Sequence, residues 1–288
     1  AIDAEGVTLE DGTRVEADQI VVATGSSNAM PFKPQGADIA GLRGDHQRIH
    51  QQLKAARRIG IVGAGAVGTE LAGEISYAMQ DKKVTLISGD EALFGAMPSK
   101  LGTSLAAKLR KAGVALILGQ RAENLESMTE PYAGSLQLAD GSQHDFDLIF
   151  PVIGSRANSE VLETLAGVQK TTANRIKVDP WMRPSSLPNV FAAGDVADVG
   201  DAMTIVATSR QLPWLKATLS GLAEGKEIED IKAYKPWGSK APILVPLGPK
   251  QGNSFLVFFT AGDFLTRKMK GADLFLKKYA KLLNRPES

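Results

Sequence analysis

The sequence predicts an α/β fold made of two Rossmann-like dinucleotide-binding domains, the first of them incomplete, with a small C-terminal α+β region. Three observations predict this fold. A glycine fingerprint occupies residues 63–68, two hairpin patterns repeat at a fixed distance along the chain, and a buried strand pattern ends in Gly194-Asp195. Strand and helix patterns alternate around the fingerprint in the order βαβαβ, which predicts a parallel sheet.

The fingerprint, Gly63-Ala64-Gly65-Ala66-Val67-Gly68, lies between an apolar strand pattern and a helical pattern, which is the context that a GxGxxG motif needs. We expect Gly63 to form the tight turn and Gly65 to let a pyrophosphate approach the backbone. We expect Gly68 to let the helix pack close to the strand. The N–H groups at the start of the helix would then bind the phosphates of a dinucleotide.

Two segments, 7–25 and 135–154, share one pattern: an Asp-Gly turn between short alternating strands, then an aspartate, an apolar strand and a glycine. The matched residues are 129 positions apart at each point: Gly12 with Gly141, Asp18 with Asp147, and Gly25 with Gly154. The fingerprint therefore belongs to the second of two nucleotide-binding units, and we expect the first unit's own fingerprint upstream of residue 1. The alternative is that the two hairpins are unrelated.

These patterns divide the chain into four stretches. Residues 1–30 complete the first half of the first nucleotide domain, 31–155 form the second nucleotide domain, 156–225 return to the first domain, and 226–288 form the C-terminal region. The predicted elements are a linker at 26–44, helices at 45–58, 101–112 and 202–223, and strands at 59–62, 84–87, 114–118, 176–178 and 190–193.

Composition excludes several classes of function. The net charge of +1 argues against nucleic-acid binding by bulk charge. The 288 residues contain no cysteine, so they cannot form a disulfide, a Cys-x-x-Cys redox pair or a thiolate zinc site. No apolar run is long enough for a transmembrane helix. The three histidines, His46, His50 and His144, lack the spacing of metal ligands, and no metal site is expected.

A second chemical signal is Gly194-Asp195, which follows the buried strand pattern at 190–193 and precedes a helical segment. Glycine permits a close approach of the backbone, and the carboxylate can accept a hydrogen bond from a ribityl or ribose hydroxyl. Taken alone, such a Gly-Asp pair is usually a turn. Its position after Thr24-Gly25 and the fingerprint, in this order along the chain, favours a role in binding a cofactor.

The order of these motifs resembles that of flavoproteins with two dinucleotide-binding domains, and most closely the apoptosis-inducing-factor-like group of the ferroptosis-suppressor type. The resemblance extends over essentially all of residues 1–288, and it is carried by 65–75, 84–87, 189–198 and 233–236. It implies an FAD-dependent enzyme that passes a hydride from NAD(P)H to the flavin and electrons on to a quinone-type acceptor. It also implies that the family's N-terminal segment, with the FAD fingerprint, lies upstream.

The resemblance assigns cofactor contacts to the motifs. Asp195, with Gly194, would hold the ribityl–phosphate region of FAD, and the Thr24-Gly25 turn would line the same cofactor. The three fingerprint glycines would hold the pyrophosphate of NAD(P)H, and Gly154 would flank its nicotinamide side.

The resemblance also implies a catalytic pair, Glu70 and Lys235. Glu70 would lie near the contact of flavin and nicotinamide, with Lys235 as its charge partner. Plainer interpretations remain, because the helix dipole favours an acid in the first turn of a helix and Lys235 could be a solvated loop lysine. No acid–base triad is needed, since hydride transfer from nicotinamide C4 to flavin N5 is the chemistry of the cofactors.

The choice of coenzyme depends on the end of the second strand, where an acid would bind the ribose 2′-OH of NAD. Ser88 occupies that position and Asp90 follows two residues later. No arginine is adjacent to receive a 2′-phosphate. We therefore predict use of NADH, or mixed use of NADH and NADPH.

The C-terminal segment 264–285 mixes leucine, phenylalanine and tyrosine with lysine and arginine, which is typical of a membrane-surface segment. We expect peripheral membrane contact through 263–288, which would suit a quinone in lipid, and a cytoplasmic or mitochondria-associated location. The alternative is a C-terminal helix that packs on the fold and exposes its lysines.

A second class of function stays open. A chain without the FAD fingerprint could be a flavin-free NAD(P)-binding module that acts through interactions. Visible absorption by bound flavin would distinguish the two classes.

Overall fold

A computed structural model describes residues 1–36, 38–184, 187–238 and 241–283. In chain order the strands are β1 (Ile2–Asp3), β2 (Gly6–Thr8), β3 (Arg14–Glu16), β4 (Ile20–Val22), β5 (Ser26–Ser27), β6 (Arg58–Val62), β7 (Lys83–Ile87), β8 (Ala115–Ile117), β9 (Tyr132–Gln137), β10 (Gln143–Pro151), β11 (Arg156–Ala157), β12 (Ile176–Lys177), β13 (Val190–Ala192), β14 (Ala197–Asp198), β15 (Ile243–Leu247), β16 (Gln251–Phe255) and β17 (Thr260–Ala261). The helices are α1 (Ile39–Ala55), α2 (Ala66–Ala78), α3 (Ser99–Lys111), α4 (Ile205–Ala223), α5 (Asp263–Thr266) and α6 (Leu276–Leu282), with a π-helical turn at Arg267–Gly271.

The chain folds into two compact units, each assembled from two segments of the sequence. Unit 1 comprises residues 1–27 and 155–241, and unit 2 comprises 28–154 and 242–288. The predicted boundaries after residues 30 and 155 lie within three residues of these divisions. The stretch 226–288, predicted as one region, is instead divided, because its strands from Ile243 onward join the core of unit 2.

Unit 2 is organised around a five-stranded sheet in the order β8-β7-β6-β10-β9. Four of its strands are parallel, and β9 pairs antiparallel with β10 at one edge. Apolar side chains of β6, β7 and α3 form a common core: Ile59, Ile61, Leu86, Leu101, Leu105 and Leu109. The alternation of strands and helices confirms the predicted Rossmann-like α/β fold.

The hairpin β15–β16 packs on α2, where a glycine allows close contact. A Cβ atom at Gly73 would lie 2.6 Å from the Leu247 Cα atom. Val245, Leu247 and Phe255 are buried in the same hydrophobic core as the Rossmann-like sheet. The C-terminal strands therefore stabilise the nucleotide-binding unit rather than forming a body of their own.

Unit 1 is built around β4 and β13, which pair in parallel. Their apolar residues Ile20, Val22, Val190 and Ala192 are buried together with Ile176 of β12. All three tryptophans of the chain lie in this unit: Trp181, Trp214 and Trp237. The indole N–H groups of Trp181 and Trp214 donate to the carbonyl oxygens of Ile231 and Lys232, at 2.8 and 2.9 Å.

The two repeated hairpins have matching turns. The N–H of Leu9 donates to the carbonyl of Thr13, and the N–H of Leu138 donates to that of Ser142, each at 2.9 Å. The glycine φ angles are +85° at Gly12 and +83° at Gly141, a region that favours glycine. The 129-residue offset also maps β10 onto β3 and β4, so one continuous strand corresponds to two short ones. These matches support the internal repeat.

The predicted linker 26–44 is wrong at both ends. β5 occupies Ser26–Ser27, and α1 begins at Ile39, six residues before the predicted helix start. The carboxylate of Asp38 caps α1 by accepting the N–H groups of Ala40 and Gly41, at 3.0 and 2.9 Å. Asp38 is a favourable N-cap residue, but the glycines that follow it made the start of the helix hard to recognise in the sequence.

Asp147, in the middle of β10, binds the start of β6, and its replacement by asparagine is expected to destabilise unit 2 in a pH-dependent way. Its carboxylate accepts the N–H groups of Arg57 and Arg58, at 2.9 and 2.8 Å, and pairs with the Arg58 guanidinium at 3.1 Å. These contacts lower the pKa of Asp147 from 3.8 to about 2. The stabilisation is therefore complete above pH 3.8 and is lost as the pH falls through about 2.

Thermal unfolding at several pH values measures this effect. We expect Asp147→Asn to lower Tm at neutral pH, with a difference from wild type that shrinks below pH 3.8. Asp145→Asn is the matched control, because Asp145 is an exposed neighbour on the same strand. Equal Tm losses for the two variants at neutral pH would contradict the prediction.

Candidate functional site

The fingerprint turn of unit 2 requires glycine at its first and third positions. Gly63 has φ +109°, and a Cβ atom there would lie 2.1 Å from the carbonyl oxygen of Val152. A Cβ atom at Gly68 would lie 1.9 Å from the carbonyl oxygen of Gly63. Both obstacles are backbone atoms, so these two glycines hold β6, β10 and α2 in close contact.

Gly65 differs from the other two glycines because its surroundings are open. A Cβ atom at Gly65 would meet no atom within 4 Å. Gly65 is also the N-cap residue of α2, and no side chain caps this end of the helix. The first N–H groups of a helix have no partners within the helix and carry the positive end of its dipole. The residues therefore fit a pyrophosphate, with Gly65 leaving the room that it needs.

A cleft of about 500 Å³ lies beside the fingerprint at the carboxyl ends of the parallel strands. Its lining includes Gly63, Ser88, Asp90, Arg121 and Ile153, the neighbour of Gly154. Gly154 has φ +118° and open space at the position of a Cβ atom. Ser88 is buried, and its hydroxyl accepts the N–H of Asp90 at 3.2 Å. Ser88 thus shapes the loop after β7.

The predicted flavin residues lie together in unit 1. Thr24-Gly25 and Gly194-Asp195 follow the paired strands β4 and β13, and the N–H of Ala193 donates to the carbonyl of Val22 at 3.0 Å. The Asp195 carboxylate accepts the Ser26 hydroxyl at 2.7 Å. Thr24 donates its hydroxyl to the carbonyl of Asn158 at 2.5 Å. Glycine in the left-handed region at 25 (φ +70°) and 194 (φ +76°) turns the chain away from both strands.

Two buried residues of unit 1 support Gly194, and sequence reasoning missed them. The Gln211 side-chain oxygen accepts the N–H of Gly194 at 2.8 Å, and its amide nitrogen lies 3.4 Å from the Asp201 carboxylate. Asp201 also accepts the Tyr234 hydroxyl at 2.6 Å and the N–H of Trp237 at 2.8 Å. Burial and this hydrogen bond raise the pKa of Tyr234. The network fixes both Gly194 and the loop that carries Lys235.

The cation beside Glu70 is Lys270, which the sequence did not indicate. The Lys270 ammonium donates to the Glu70 carboxylate at 2.5 Å and to the carbonyl of Leu244 at 3.3 Å. Lys270 lies in the π-helical turn Arg267–Gly271, a local geometry that often occurs at functional sites. Burial raises the pKa of Glu70, while the ammonium of Lys270 opposes this shift. Lys235 belongs to unit 1, and its pairing with Glu70 stays a prediction.

Replacing Lys270 by glutamine is expected to destabilise unit 2 by about 2 kcal/mol near pH 7.5. Without the ammonium, the pKa of Glu70 rises further above its unfolded value of 4.5. A group whose folded pKa is raised contributes its stability below the unfolded pKa and loses it as the pH rises through the folded pKa. Thermal unfolding should therefore show a larger Tm loss at pH 7.5 than at pH 4.5.

The matched control for that prediction is Lys268→Gln, because Lys268 is exposed in the same π-helical turn. We expect it to change Tm little at either pH. A Tm loss for Lys270→Gln that is larger at pH 4.5 than at pH 7.5 would show that the ion pair does not control the charge of Glu70.

The histidines take no part in the arrangements described above. His46 and His50 are exposed on α1, and the His144 Nε2 atom lies 3.2 Å from the Ser142 hydroxyl. Across the described ranges there is no group of three or more metal-ligating side chains close enough to hold a metal ion.

Comparisons with known sequences agree with this arrangement. A profile of the family described as pyridine nucleotide-disulphide oxidoreductase matches residues 1–212. The chain is 28% identical over 306 positions to apoptosis-inducing factor homolog A of Dictyostelium discoideum, covering 98% of this chain and 74% of that protein. It is 26% identical over 283 positions to ferroptosis suppressor protein 1 of Homo sapiens, covering 94% of this chain and 72% of that protein.

Among solved structures, a ferredoxin reductase for the CYP199A2 system from Rhodopseudomonas palustris shares the fold. The TM-score is 0.62 with 24% identity over 82% of this chain. The chain spans 58% of that reductase. The family match covers more than half of the chain and accounts for the motifs in both units. The chain therefore belongs to the pyridine nucleotide-disulphide oxidoreductase family, which confirms the predicted resemblance and the predicted cofactors, FAD and NAD(P)H.

Proposed function

We propose that this protein is a flavoprotein that oxidises NAD(P)H and passes the electrons to a quinone-type acceptor. Membership of the family supports NAD(P)H-dependent oxidoreduction, and a quinone as the electron acceptor is the more specific part of the proposal. The observation that carries the nucleotide half is the open space at Gly65 beside the uncapped start of α2. That combination suits a pyrophosphate.

The role of the chain's own residues is to bind and orient the two cofactors. In unit 2 the backbone at 65–67 would hold the pyrophosphate of NAD(P)H, and the adjoining cleft would take the adenosine half. In unit 1 Asp195, oriented by the Ser26 hydroxyl, would accept a hydroxyl of FAD. When bound, the cofactors supply the redox step: a hydride leaves the nicotinamide for the flavin, and its two electrons pass to the acceptor.

Glu70 would act through its charge in this scheme. Its carboxylate is largely buried and is held by the Lys270 ammonium. We propose that this pair keeps Glu70 ionised and fixed where the resemblance places the reacting rings. Lys235 keeps its proposed role near the flavin. The Asp201 network holds Tyr234, the residue before Lys235, and the backbone N–H of Trp237, two residues after it.

A quinone acceptor partitions into lipid, so the proposal includes peripheral contact with a cytoplasmic or mitochondria-associated membrane. Large apolar side chains are exposed in the C-terminal part of unit 2: Phe258 (92%), Phe264 (76%) and Leu276 (71%). Exposed basic residues accompany them: Arg267, Lys268, Lys277, Lys278 and Lys281. α6 buries none of its residues, which favours this role over a packed C-terminal helix. Arg285, part of the predicted segment, lies outside the described residues.

The helices that the structure describes include none long and apolar enough to cross a membrane. Contact through the C-terminal segment would instead be a surface interaction, supported by basic charge and by insertion of the exposed apolar side chains.

The test of the redox proposal starts with FAD-loaded protein under anaerobic conditions. NAD(P)H should bleach the visible flavin absorption, and a water-soluble ubiquinone analogue should restore it. Flavin that NAD(P)H does not bleach would refute the oxidoreductase, and flavin that is bleached but not restored by the quinone would refute only the acceptor. A protein that binds NAD(P)H but no flavin would favour the flavin-free module instead.

Flotation with vesicles that contain anionic lipid tests the proposed membrane contact. Deletion of 263–288 is unsuitable, because it removes Lys270 from Glu70 and Asp263 from Lys108. The double variant Phe264→Glu with Leu276→Glu should float less than wild type. Ile39→Glu is the control, since Ile39 is 63% exposed on α1. Equal flotation of wild type and double variant would remove the C-terminal segment from the proposal.

A further inference from the structure

The structure places an arginine side chain beside the end of β7, the position at which dinucleotide-binding folds distinguish NAD from NADP. In dinucleotide-binding folds, an acid after the second strand binds the ribose 2′-OH of NAD, whereas a nearby arginine accommodates the 2′-phosphate of NADP. Here the strand β7 ends in Ser88, a neutral buried residue whose hydroxyl contacts Asp90 N–H. Because Ser88 carries no charge, neighbouring charged residues decide which ribose the cleft accepts.

Arg121 reaches this position from the loop after β8, 33 residues further along the chain. Its Nε atom lies 3.8 Å from the point that a Cβ atom at Gly89 would occupy, and its Cβ atom lies 3.9 Å from the same point. The side chain therefore lies against the residue that follows Ser88. The sequence alone indicated no arginine near Ser88, since the loop approaches only in the folded chain.

Backbone hydrogen bonds fix the loop that carries Arg121. The N–H of Gln120 donates to the carbonyl of Ser88 at 3.0 Å, and the N–H of Gly119 donates to that of Asp90 at 2.9 Å. On the other side, the Arg121 carbonyl accepts the N–H of Ala139 at 2.9 Å. The position of Arg121 beside the cleft therefore follows from the sheet and does not depend on a flexible loop.

The Arg121 guanidinium is available for a ligand. It is exposed, and it forms no hydrogen bond or ion pair with any side chain in the portion of the chain that the structure describes. A guanidinium presents several N–H donors in a planar array that matches a phosphate group. Asp90 lines the same cleft, and its negatively charged carboxylate would repel a 2′-phosphate.

We propose that Arg121 binds the 2′-phosphate of NADPH in this cleft, so that the protein accepts NADPH alongside NADH. This inference rests on the proposed function, because it names the coenzyme of the same site. The predicted mixed use of NADH and NADPH then depends on two residues from different loops, Arg121 and Asp90. Arg121 favours the phosphorylated coenzyme, and Asp90 favours the one that lacks the phosphate.

Calorimetric binding of two nucleotide fragments tests the proposal without any redox step. The fragments are 2′,5′-ADP, which carries the 2′-phosphate, and 5′-ADP, which lacks it. Arg121→Ala should weaken 2′,5′-ADP binding by about tenfold or more, as expected for loss of a charge-assisted hydrogen bond, and should change 5′-ADP binding little. Arg121→Lys should retain part of the affinity, and Asp90→Asn should strengthen 2′,5′-ADP binding.

Arg110→Ala is the matched control, because it removes the same charge from the exposed last turn of α3 in the same unit. It should change neither affinity. Equal weakening of both fragments by Arg121→Ala, or no weakening of 2′,5′-ADP, would overturn the assignment of Arg121 alone. Failure of wild-type protein to bind 5′-ADP would overturn the nucleotide site itself and, with it, the proposed function.

Discussion

Alanine at Gly65 is expected to weaken NADH binding by about tenfold or more while the protein stays as stable as wild type. The position of its Cβ atom is open space in the folded chain, so the methyl group meets no protein atom. It would instead occupy the room for a pyrophosphate at the start of α2. Loss of even one charge-assisted hydrogen bond to phosphate accounts for a change of this size.

Alanine at Gly68 is expected to give the opposite pattern, with a stability loss of about 3 kcal/mol or more. Its Cβ atom would lie 1.9 Å from the carbonyl oxygen of Gly63, which is backbone and cannot turn aside. Urea unfolding followed by circular dichroism, with NADH titration by calorimetry, separates the two effects. Gly44→Ala on α1 is the control, because open space surrounds it and alanine favours a helix.

Two outcomes would contradict this pair of predictions. A large loss of stability in Gly65→Ala would show that Gly65 is needed for folding. Unchanged NADH affinity in a stable Gly65→Ala variant would show that the phosphates do not approach the backbone there.

Alanine at Asp201 is expected to destabilise unit 1 by about 3 kcal/mol, since it removes the acceptor of several groups at once. The Tyr234 hydroxyl and the Trp237 N–H would lose partners in a site where Asp201 is only 2% exposed. Each buried donor without a partner costs about 1–3 kcal/mol. Gln211 would also lose one contact, so the support of Gly194 should weaken and FAD affinity should fall.

Urea unfolding of the FAD-free protein and flavin titration measure the two effects separately. Asp201→Asn should be milder, because an amide oxygen still accepts one hydrogen bond. Asp230→Ala is the control, since Asp230 is exposed in the same unit. A stability loss below about 1 kcal/mol for Asp201→Ala would mean that the network does not hold the loop.

Residues that act through local geometry could be predicted from the sequence. The fingerprint glycines, the Asp-Gly turns and the buried strands depend on neighbours in the chain, and their positions agree with the structure. The pairing of Thr24-Gly25 with Gly194-Asp195 was also accessible, because the carboxyl ends of adjacent parallel strands share one edge of a sheet.

Residues that act through distant contacts could not be predicted in the same way. Lys270 meets Glu70 across 200 positions, and Asp201 meets Tyr234 across 33. In their local sequence, Lys270 and Asp201 look like ordinary solvated residues, so nothing nearby in the chain indicates their contacts. Arg121 is of the same kind, because the register of β7 and β8 brings its loop to Ser88.

The location of the three tryptophans has a practical consequence for measuring stability. Since Trp181, Trp214 and Trp237 all lie in unit 1, intrinsic tryptophan fluorescence reports the unfolding of that unit alone. Circular dichroism records the helices of both units. Coincident transitions by the two probes would identify a single cooperative protein, whereas separated transitions would give each unit its own midpoint without cutting the chain.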